Sequence, residues 1–539
     1  MRSAPALVRV AWVLLLLATA AVVVVPLAAL VGTVWAEGRH RLVDLLADPG
    51  LTLAVAHSAE LCVAATLLSV PTGVAIALAL RDPRLPGRQL WRAGVLLPVL
   101  VPDYVLAYSW LRAYGPAGLT TEVVGREWEG LIGPVGVAVI VATHAVPLVY
   151  LITTVGLATR AEPATERAAR TSGARPATVL ATITLPLLGP AVASAAVLVF
   201  VLTLGTFAVP ELVGAPAGFG TVSTRIYADL ALGSDPAGFV TAVTSAVLLV
   251  ALALVVVVPA DMAFRGGRQS DRAFVSSAPG PPGHPVTRVL LATGLGLYLT
   301  ATSGLPLLAL VGAAVTKAIG VPSTPANWTL DNFTAVLTPR TGQALTRSVL
   351  LAFAAASILL ALGGCTAALG RTRGGRAVSV LVSLTFVLPG SVLAVGLLIA
   401  YGRQLGNTVA IILLAYLAKL WALAHRPIAA GLDRVPGTGL AAARASGATL
   451  ATGLATVVVP LLRPALVAAW GLCFLTALHE VTMSSLLYGP GSETLAVVVL
   501  NSADLGQIGV TAALAVVVTA VVVVPGGLFW VVGRHGRRG

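Results

Sequence analysis

The stretch Arg167–Leu188, RAARTSGARPATVLATITLPLL, returns at Ala441–Leu462 as AAARASGATLATGLATVVVPLL. The copies lie 274 positions apart and align Arg170 with Arg444, Ser172 with Ser446, Gly173 with Gly447, Pro186 with Pro460 and Pro190 with Pro464. Each is an Ala/Arg-rich run that breaks at Ser-Gly and ends at a proline opening an apolar segment. One glycine and two prolines held in register point to an internal duplication rather than to coincidence between two Ala/Val-rich texts. A second match supports it. PDYVLAYSWLRAYG from Pro102 pairs with PGSVLAVGLLIAYG from Pro389, which sets Val105 against Val392, Leu106 against Leu393, Ala107 against Ala394 and Tyr114 against Tyr401.

What surrounds these copies is apolar. Of 539 residues, 57% are hydrophobic and only 10% charged, where a soluble domain carries about 25% charged residues. That combination describes a polytopic membrane protein and excludes a soluble helical one. A span needs about 20 mostly apolar residues, and twelve candidates centre near residues 22, 66, 102, 145, 196, 248, 302, 358, 388, 420, 470 and 520. The first follows two arginines and is too long for a cleaved signal core, so it reads as a retained span.

The net charge of +13 does not imply nucleic acid, because its placement is that of a topology signal. With the N-terminus inside, the inner loops hold Arg81, Arg84, Arg88, Arg92, Arg160, Arg167, Arg170 and Arg175, and later Arg371, Arg373, Arg376, Arg434 and Arg444. The outer loops hold acids such as Glu122, Glu127, Glu129, Asp229, Asp331 and Glu493. The reverse orientation violates the arginine bias in nearly every loop, so both termini are expected in the cytoplasm. A Gly/Pro/Ser-rich segment at 264–288 reads as a cytoplasmic linker. It divides the chain into a first six-span repeat, 1–263, and a second, 289–539, in the same orientation.

The repeated loop has a mechanical reading. Its Ala/Arg run forms a short helix, which glycine in a left-handed turn terminates, and Pro186 and Pro460 are expected at the start of the next helix. Such a helix is marginal alone, since isolated helices shorter than about 12–15 residues are unstable in water. Its small-residue face suits docking in a partner's groove better than lying on headgroups.

These stretches resemble the "EAA" loop of bacterial ABC importer permeases, in which E-A-A is followed after three residues by glycine. Ala168, Ala169 and Gly173 match in the first copy, and Ala442, Ala443 and Gly447 in the second. The glutamate position holds Arg167 in the first, with Glu166 one residue earlier, and Ala441 in the second. Over the whole chain the sequence is similar to fused twelve-span permeases of ferric-iron importers, and the run from His479 resembles the corresponding region of iron and thiamine permeases. The resemblance implies an all-helical polytopic fold of the type I importer kind, made of two parallel six-helix repeats. It further implies two copies of an ATPase subunit seated on the two loops, an extracytoplasmic solute-binding protein, and no cofactor. Ferric iron is the expected solute, with thiamine, phosphonate and polyamine as alternatives. The expected coupling residues are Glu166, Arg167, Ala168, Ala169, Gly173, Pro186, Ala441, Ala442, Ala443, Gly447 and Pro460.

The chain itself carries no motor. The nucleotide-binding pattern GxxxxGK[ST] needs lysine before Ser or Thr, yet the two lysines, Lys317 and Lys419, precede Ala and Leu. An enzyme is disfavoured, because the seven histidines are scattered and the three cysteines, Cys62, Cys365 and Cys473, form no CxxC pair. The rival is an ion-coupled transporter with six-plus-six repeats. It would draw on Glu60, Asp103 and Glu480 as intramembrane carboxylates. Tyr104, Tyr108 and Trp110 read either as path-lining or as interfacial aromatics.

Overall fold

The computed structural model describes residues 6–37, 47–160, 163–233, 236–264, 285–318, 320–321, 323–370 and 372–535. Most of the expected linker, 265–284, lies outside them, as does Arg371. Among the described residues the only β pairing is one isolated bridge, Thr316 with Trp328. Among the described residues nine helices are long and apolar enough to cross a membrane, or up to eleven crossings if two sharply bent pairs each count once. The helix Ile508–His535 stands where the last span is expected.

The bent pairs are the spans expected near residues 102 and 388. Arg88–Leu100 meets Asp103–Val124 at 106°, and Arg373–Val387 meets Gly390–Leu405 at 112°. Both breaks follow from proline, which pushes the residue before it out of the helical region. Val101 before Pro102 has ψ 122°, and Leu388 before Pro389 has ψ 136°.

The chain packs as two compact units, which do not coincide with the sequence halves. One comprises residues 1–48, 225–250 and 333–539, the other 49–224 and 251–332. Each half has therefore given its first span to the unit built on the other. In the first unit the span Val8–Ala36 packs on Gly390–Leu405. In the second, Leu305–Val315 packs on Asp103–Tyr114 and Pro285–Leu299 on Arg88–Leu100.

Proline also shapes the exchanged spans. Ala20–Val24 and Thr300–Gly304 are π-helical, and Pro26 and Pro306 stand two residues beyond them. In each, the i→i−5 bond is made by the residue before proline: Val25 N–H to Ala20 O, and Leu305 N–H to Thr300 O. The next such bond would reach Ala21 or Ala301, but proline has no N–H to give. A tyrosine hydroxyl supplies the donor instead. Tyr401 bonds Ala21 O at 2.8 Å, and Tyr114, its mate in the repeat, bonds Ala301 O at 2.6 Å. Trp110 Nε1 adds a bond to Thr302 O at 3.2 Å.

The remaining core repeats residue by residue. Pro49–Ala79 packs on Pro134–Arg160 and Leu185–Leu204, as Pro339–Leu369 packs on Val409–Leu432 and Val459–Leu478. Close approach needs glycine at Gly73 and Gly363. A Cβ there would lie 2.6 Å from the Val149 side chain and 2.9 Å from that of Ala424, respectively. Small residues at such crossings are what lets helices associate in lipid. Ser58 Oγ accepts from Val222 N at 2.9 Å, and Ser348 Oγ from Leu495 N at 2.8 Å.

Removing the Tyr401 hydroxyl leaves the Ala21 carbonyl without its donor. Tyr401→Phe should therefore destabilise the purified protein by about 1 kcal/mol, seen as a lower melting temperature in detergent. An unchanged melting temperature would show that the carbonyl finds another donor.

Candidate functional site

Both copies of the repeated loop form the expected short helix, Pro163–Thr171 and Gly437–Ala445. Each ends in the same way. In the first, Gly173 N bonds Arg170 O and Ala174 N bonds Ala169 O, both at 3.0 Å. In the second, Gly447 N bonds Arg444 O and Ala448 N bonds Ala443 O, again at 3.0 Å. This crossed pair of bonds is the Schellman cap, which needs a left-handed residue. Gly173 has φ +88° and Gly447 φ +84°.

One expectation is corrected here. Pro186 and Pro460 do not open the following helices, which begin about ten residues earlier, at Pro176 and Leu450. The spans Pro176–Leu204 and Ala451–Leu478 run through the prolines. The reason is the device already seen in the exchanged spans. Leu180–Thr184 and Leu454–Val458 are π-helical, and the wider turn accommodates a proline whose missing N–H breaks the ordinary ladder.

The two loop helices are fastened differently. Glu166 points inward, its side chain 3% exposed. Its Oε1 accepts from Arg81 Nη1 and from Thr184 Oγ1, each at 2.9 Å, while Arg170 Nη2 lies 3.8 Å from Oε2. The carboxylate thus ties the loop helix both to Arg81, just beyond the helix Pro49–Ala79, and to the end of the π segment. Burial pushes the Glu166 carboxyl up. The Arg81 guanidinium, the Thr184 hydroxyl and Arg170 more than reverse this, so its pKa lies below the ordinary glutamate value. In the second loop Leu440 occupies the repeat position of Glu166, and Val458 that of Thr184. The fastening there is apolar: a Cβ on Gly453 would lie 2.8 Å from Leu440 Cδ1, and one on Gly439 3.1 Å from Val457 Cγ1.

The other predicted residues lie on the outer surfaces of these helices. Arg167, Ala168, Ala441 and Ala442 are exposed, and Ala169 and Ala443 are half-buried. The sequence reading missed Arg81 and Thr184 as partners of Glu166. Arg81 counted only as an inner-loop arginine, although it sits where a long apolar helix ends.

The carboxylates that an ion-coupled mechanism would use are engaged with backbone or exposed. Glu480 Oε1 accepts from Met483 N at 2.8 Å and Oε2 from Ser484 N at 3.1 Å, which caps the helix Thr482–Leu487. Asp103 stands in the first turn of Asp103–Tyr114 and accepts from Tyr104 N at 2.9 Å. Carboxylates suit helix N-termini. Lys419 provides the converse, donating from Nζ to the carbonyls of Phe386 and Leu388 where a helix breaks. Glu60 is exposed. Tyr104, Tyr108 and Trp110 are buried.

The described residues thus hold nine to eleven helices able to cross a membrane, with one capped loop helix in each copy of the repeated stretch. Residues 69–261 match the family described as binding-protein-dependent transport system inner membrane component. The chain is 35% identical over 223 residues to the molybdenum transport system permease protein ModB of Mycobacterium bovis, covering 40% of this chain and 81% of that protein. It therefore belongs to that family of transporter permeases. Two relatives match along most of its length. The probable ABC transporter permease protein y4fN of Sinorhizobium fredii is 26% identical over 449 residues, 78% of this chain and 76% of that protein. The ferric transport system permease protein FbpB of Actinobacillus pleuropneumoniae is 25% identical over 495 residues, 86% of this chain and 69% of that protein.

Arg81→Met leaves the Glu166 carboxylate buried against little compensation and should destabilise the protein by about 3 kcal/mol. The double variant Arg81→Met/Glu166→Leu, which imitates the second loop, should recover most of the loss. Thermal unfolding of the purified variants decides; no recovery in the double variant would show that the charges are not a coupled pair. Because the Glu166 pKa is lowered on folding, the lock's contribution is full above the ordinary carboxylate range and is lost as pH falls through the lowered value. The destabilisation by Glu166→Gln should accordingly shrink on acidification.

Proposed function

We propose that this chain is the translocation subunit of an importer whose ATPase subunits, two copies, grip the helices Pro163–Thr171 and Gly437–Ala445 from the cytoplasm. The observation that carries this reading is the matched Schellman cap at Gly173 and Gly447. It gives two short helices with exposed small-residue faces a fixed exit and a rigid connection to a span. Both termini lie on the cytoplasmic side in this reading, supported by the placement of arginines. An extracytoplasmic binding protein delivers the solute, and membrane lipid surrounds the spans.

ATP binding draws the two gripped helices together, and hydrolysis lets them part. The nucleotide acts by favouring one conformation of the permease, and several kcal/mol of differential affinity are needed to shift the population decisively. ATP hydrolysis belongs to the partner, since neither lysine of this chain fits a nucleotide-binding loop. The ion-coupled alternative is not favoured, because Asp103 and Glu480 already serve as helix-terminal acceptors.

The proposed solute is ferric iron. The support is the likeness to FbpB along 86% of the chain, which spans both repeats. A small oxyanion is the second reading, favoured by the higher identity to ModB over 40% of the chain.

Gly173→Pro combined with Gly447→Pro should abolish ATP-dependent uptake while the protein still inserts in the membrane, since proline holds φ near −65° where the cap needs a positive value. Undiminished uptake would sink the docking reading. Vesicles reconstituted with the companion ATPase and binding protein should accumulate iron(III) in the presence of excess molybdate. Accumulation of molybdate instead would transfer the assignment to the oxyanion.

A further inference from the structure

The corner of the second unit beside the first loop helix carries more positive charge than its own acids neutralise. Between Arg81 and Leu100 the one acid is Asp82, against arginines at 81, 84, 88 and 92. Arg81 is held by Glu166. Asp82 pairs through Oδ2 with Arg288 Nε at 3.1 Å, and its Oδ1 accepts from Arg84 N at 2.9 Å. It also attracts Arg88, but with both oxygens already engaged. The helices Pro134–Arg160 and Pro285–Leu299, which pack on Arg88–Leu100, contain no acid. Glu162, just past the first of them, lies outside the described residues.

Arg88 and Arg92 stand one turn apart on the half-buried side of their helix, and like charges at that spacing repel. Val95, on the same side, is buried, whereas the exposed Leu90 lies opposite. The pair therefore sits at the rim of the unit's apolar core. Arg88 is fixed by one bond, from Nε to Leu80 O at 2.7 Å, at the end of Pro49–Ala79. Its Nη atoms bond no described residue. The Nε of Arg92 is buried and has no hydrogen-bond partner among the described residues. A buried donor left without an acceptor costs about 1–3 kcal/mol, and more when charged.

The fold does not require this pair. Aligning Pro102 with Pro389 places Gly375 at Arg88 and Ser379 at Arg92, while Val95 and its mate Val382 are buried alike. Ser379 Oγ donates back to Gly375 O at 2.9 Å. The second copy thus builds the same bent span with no charge at either place.

We propose that Arg88 and Arg92 bind a tetrahedral oxyanion of the phosphate class, either free or as the headgroup of an anionic phospholipid. Guanidinium forks match such oxygens with paired, charge-assisted hydrogen bonds. One anion cancels the repulsion between the two arginines, gives Arg92 Nε its acceptor and engages the Nη atoms of Arg88. Arg84, exposed on the turn before the helix, adds attraction at longer range. Through Arg81 and Glu166 this corner adjoins the loop helix Pro163–Thr171, so the anion enters from that side. The site stands whether or not an ATPase grips that helix.

The test uses the full permease, purified in detergent, stripped of lipid and held at low salt. Calorimetric titration with inorganic phosphate and with molybdate measures the free anion, and native mass spectrometry after adding back phosphatidylglycerol or phosphatidylcholine measures the headgroup. Arg92→Ser, which copies the second repeat, should weaken the anion roughly tenfold or more, and Arg88→Gln/Arg92→Ser should abolish binding. Without anion Arg92→Ser should melt no lower than the unaltered permease, and the bound anion should raise the melting temperature of the unaltered permease alone. Binding of phosphate or molybdate assigns the site to a free oxyanion. Retention of phosphatidylglycerol over phosphatidylcholine, lost in the double variant and with no inorganic anion bound, assigns it to a headgroup. No binding by either route, or binding unchanged in the double variant, overturns the proposal. So does a lower melting temperature of anion-free Arg92→Ser, which would show that Arg92 serves the fold.

Discussion

A backbone carbonyl or amide freed inside a membrane has no water to turn to, and this constraint accounts for a set of polar side chains at the helix breaks. Prolines that bend or widen a helix release such groups, and several of them are answered here. The structure answers with a side chain from a neighbouring helix or with the helix's own first turn. Tyr114 and Tyr401 serve the carbonyls that Pro306 and Pro26 leave open. Lys419 serves the carbonyl end at the break before Pro389, and Glu480 the amide end of Thr482–Leu487. Ser58 and Ser348 serve the amides of Val222 and Leu495. Asp103 and Glu480, which suggest proton coupling in the sequence, stand in the fold at helix starts that follow a break.

The duplication and the loop caps were legible in the sequence because they depend on local chemistry. A glycine past an Ala/Arg run can be read as a left-handed stop without knowing its neighbours, and Gly173 and Gly447 adopt that conformation. The sharp bends at Pro102 and Pro389 appear in the sequence reading only as candidate spans near residues 102 and 388. The exchange of first spans was not legible. An apolar helix such as Val8–Ala36 has the same pattern whichever unit it packs on, and its specificity lies in Tyr401 reaching Ala21 across some 380 residues of sequence.

The placement of Pro186 and Pro460 was misread for a related reason. Proline after an apolar turn ordinarily marks a helix start, and four prolines in this chain, Pro26, Pro186, Pro306 and Pro460, each follow a π segment instead. The wider turn keeps the helix continuous. That continuity matters for the loops. A helix starting at Pro186 would be joined to Pro163–Thr171 by more than ten residues of irregular chain and would transmit little displacement. As built, the Schellman cap is followed almost at once by helical turns that run into the span.

Glu166 shows how one residue can satisfy a sequence pattern and yet do different work. Its position beside the glutamate of the loop signature suggests an outward contact, but one residue is about 100° around a helix, and that rotation delivers the carboxylate to Arg81 and Thr184. The inward carboxylate makes the first loop helix continuous, through charge, with the bases of two spans. Leu440 achieves the equivalent fastening by packing over Gly453, with no charge at all. Equal mechanical connection with unequal polarity is possible because what a lever requires is that its fastening resist displacement, and a well-packed leucine resists it as a buried ion pair does. The inner faces of the two loop helices can therefore differ in polarity while each remains fastened to its span.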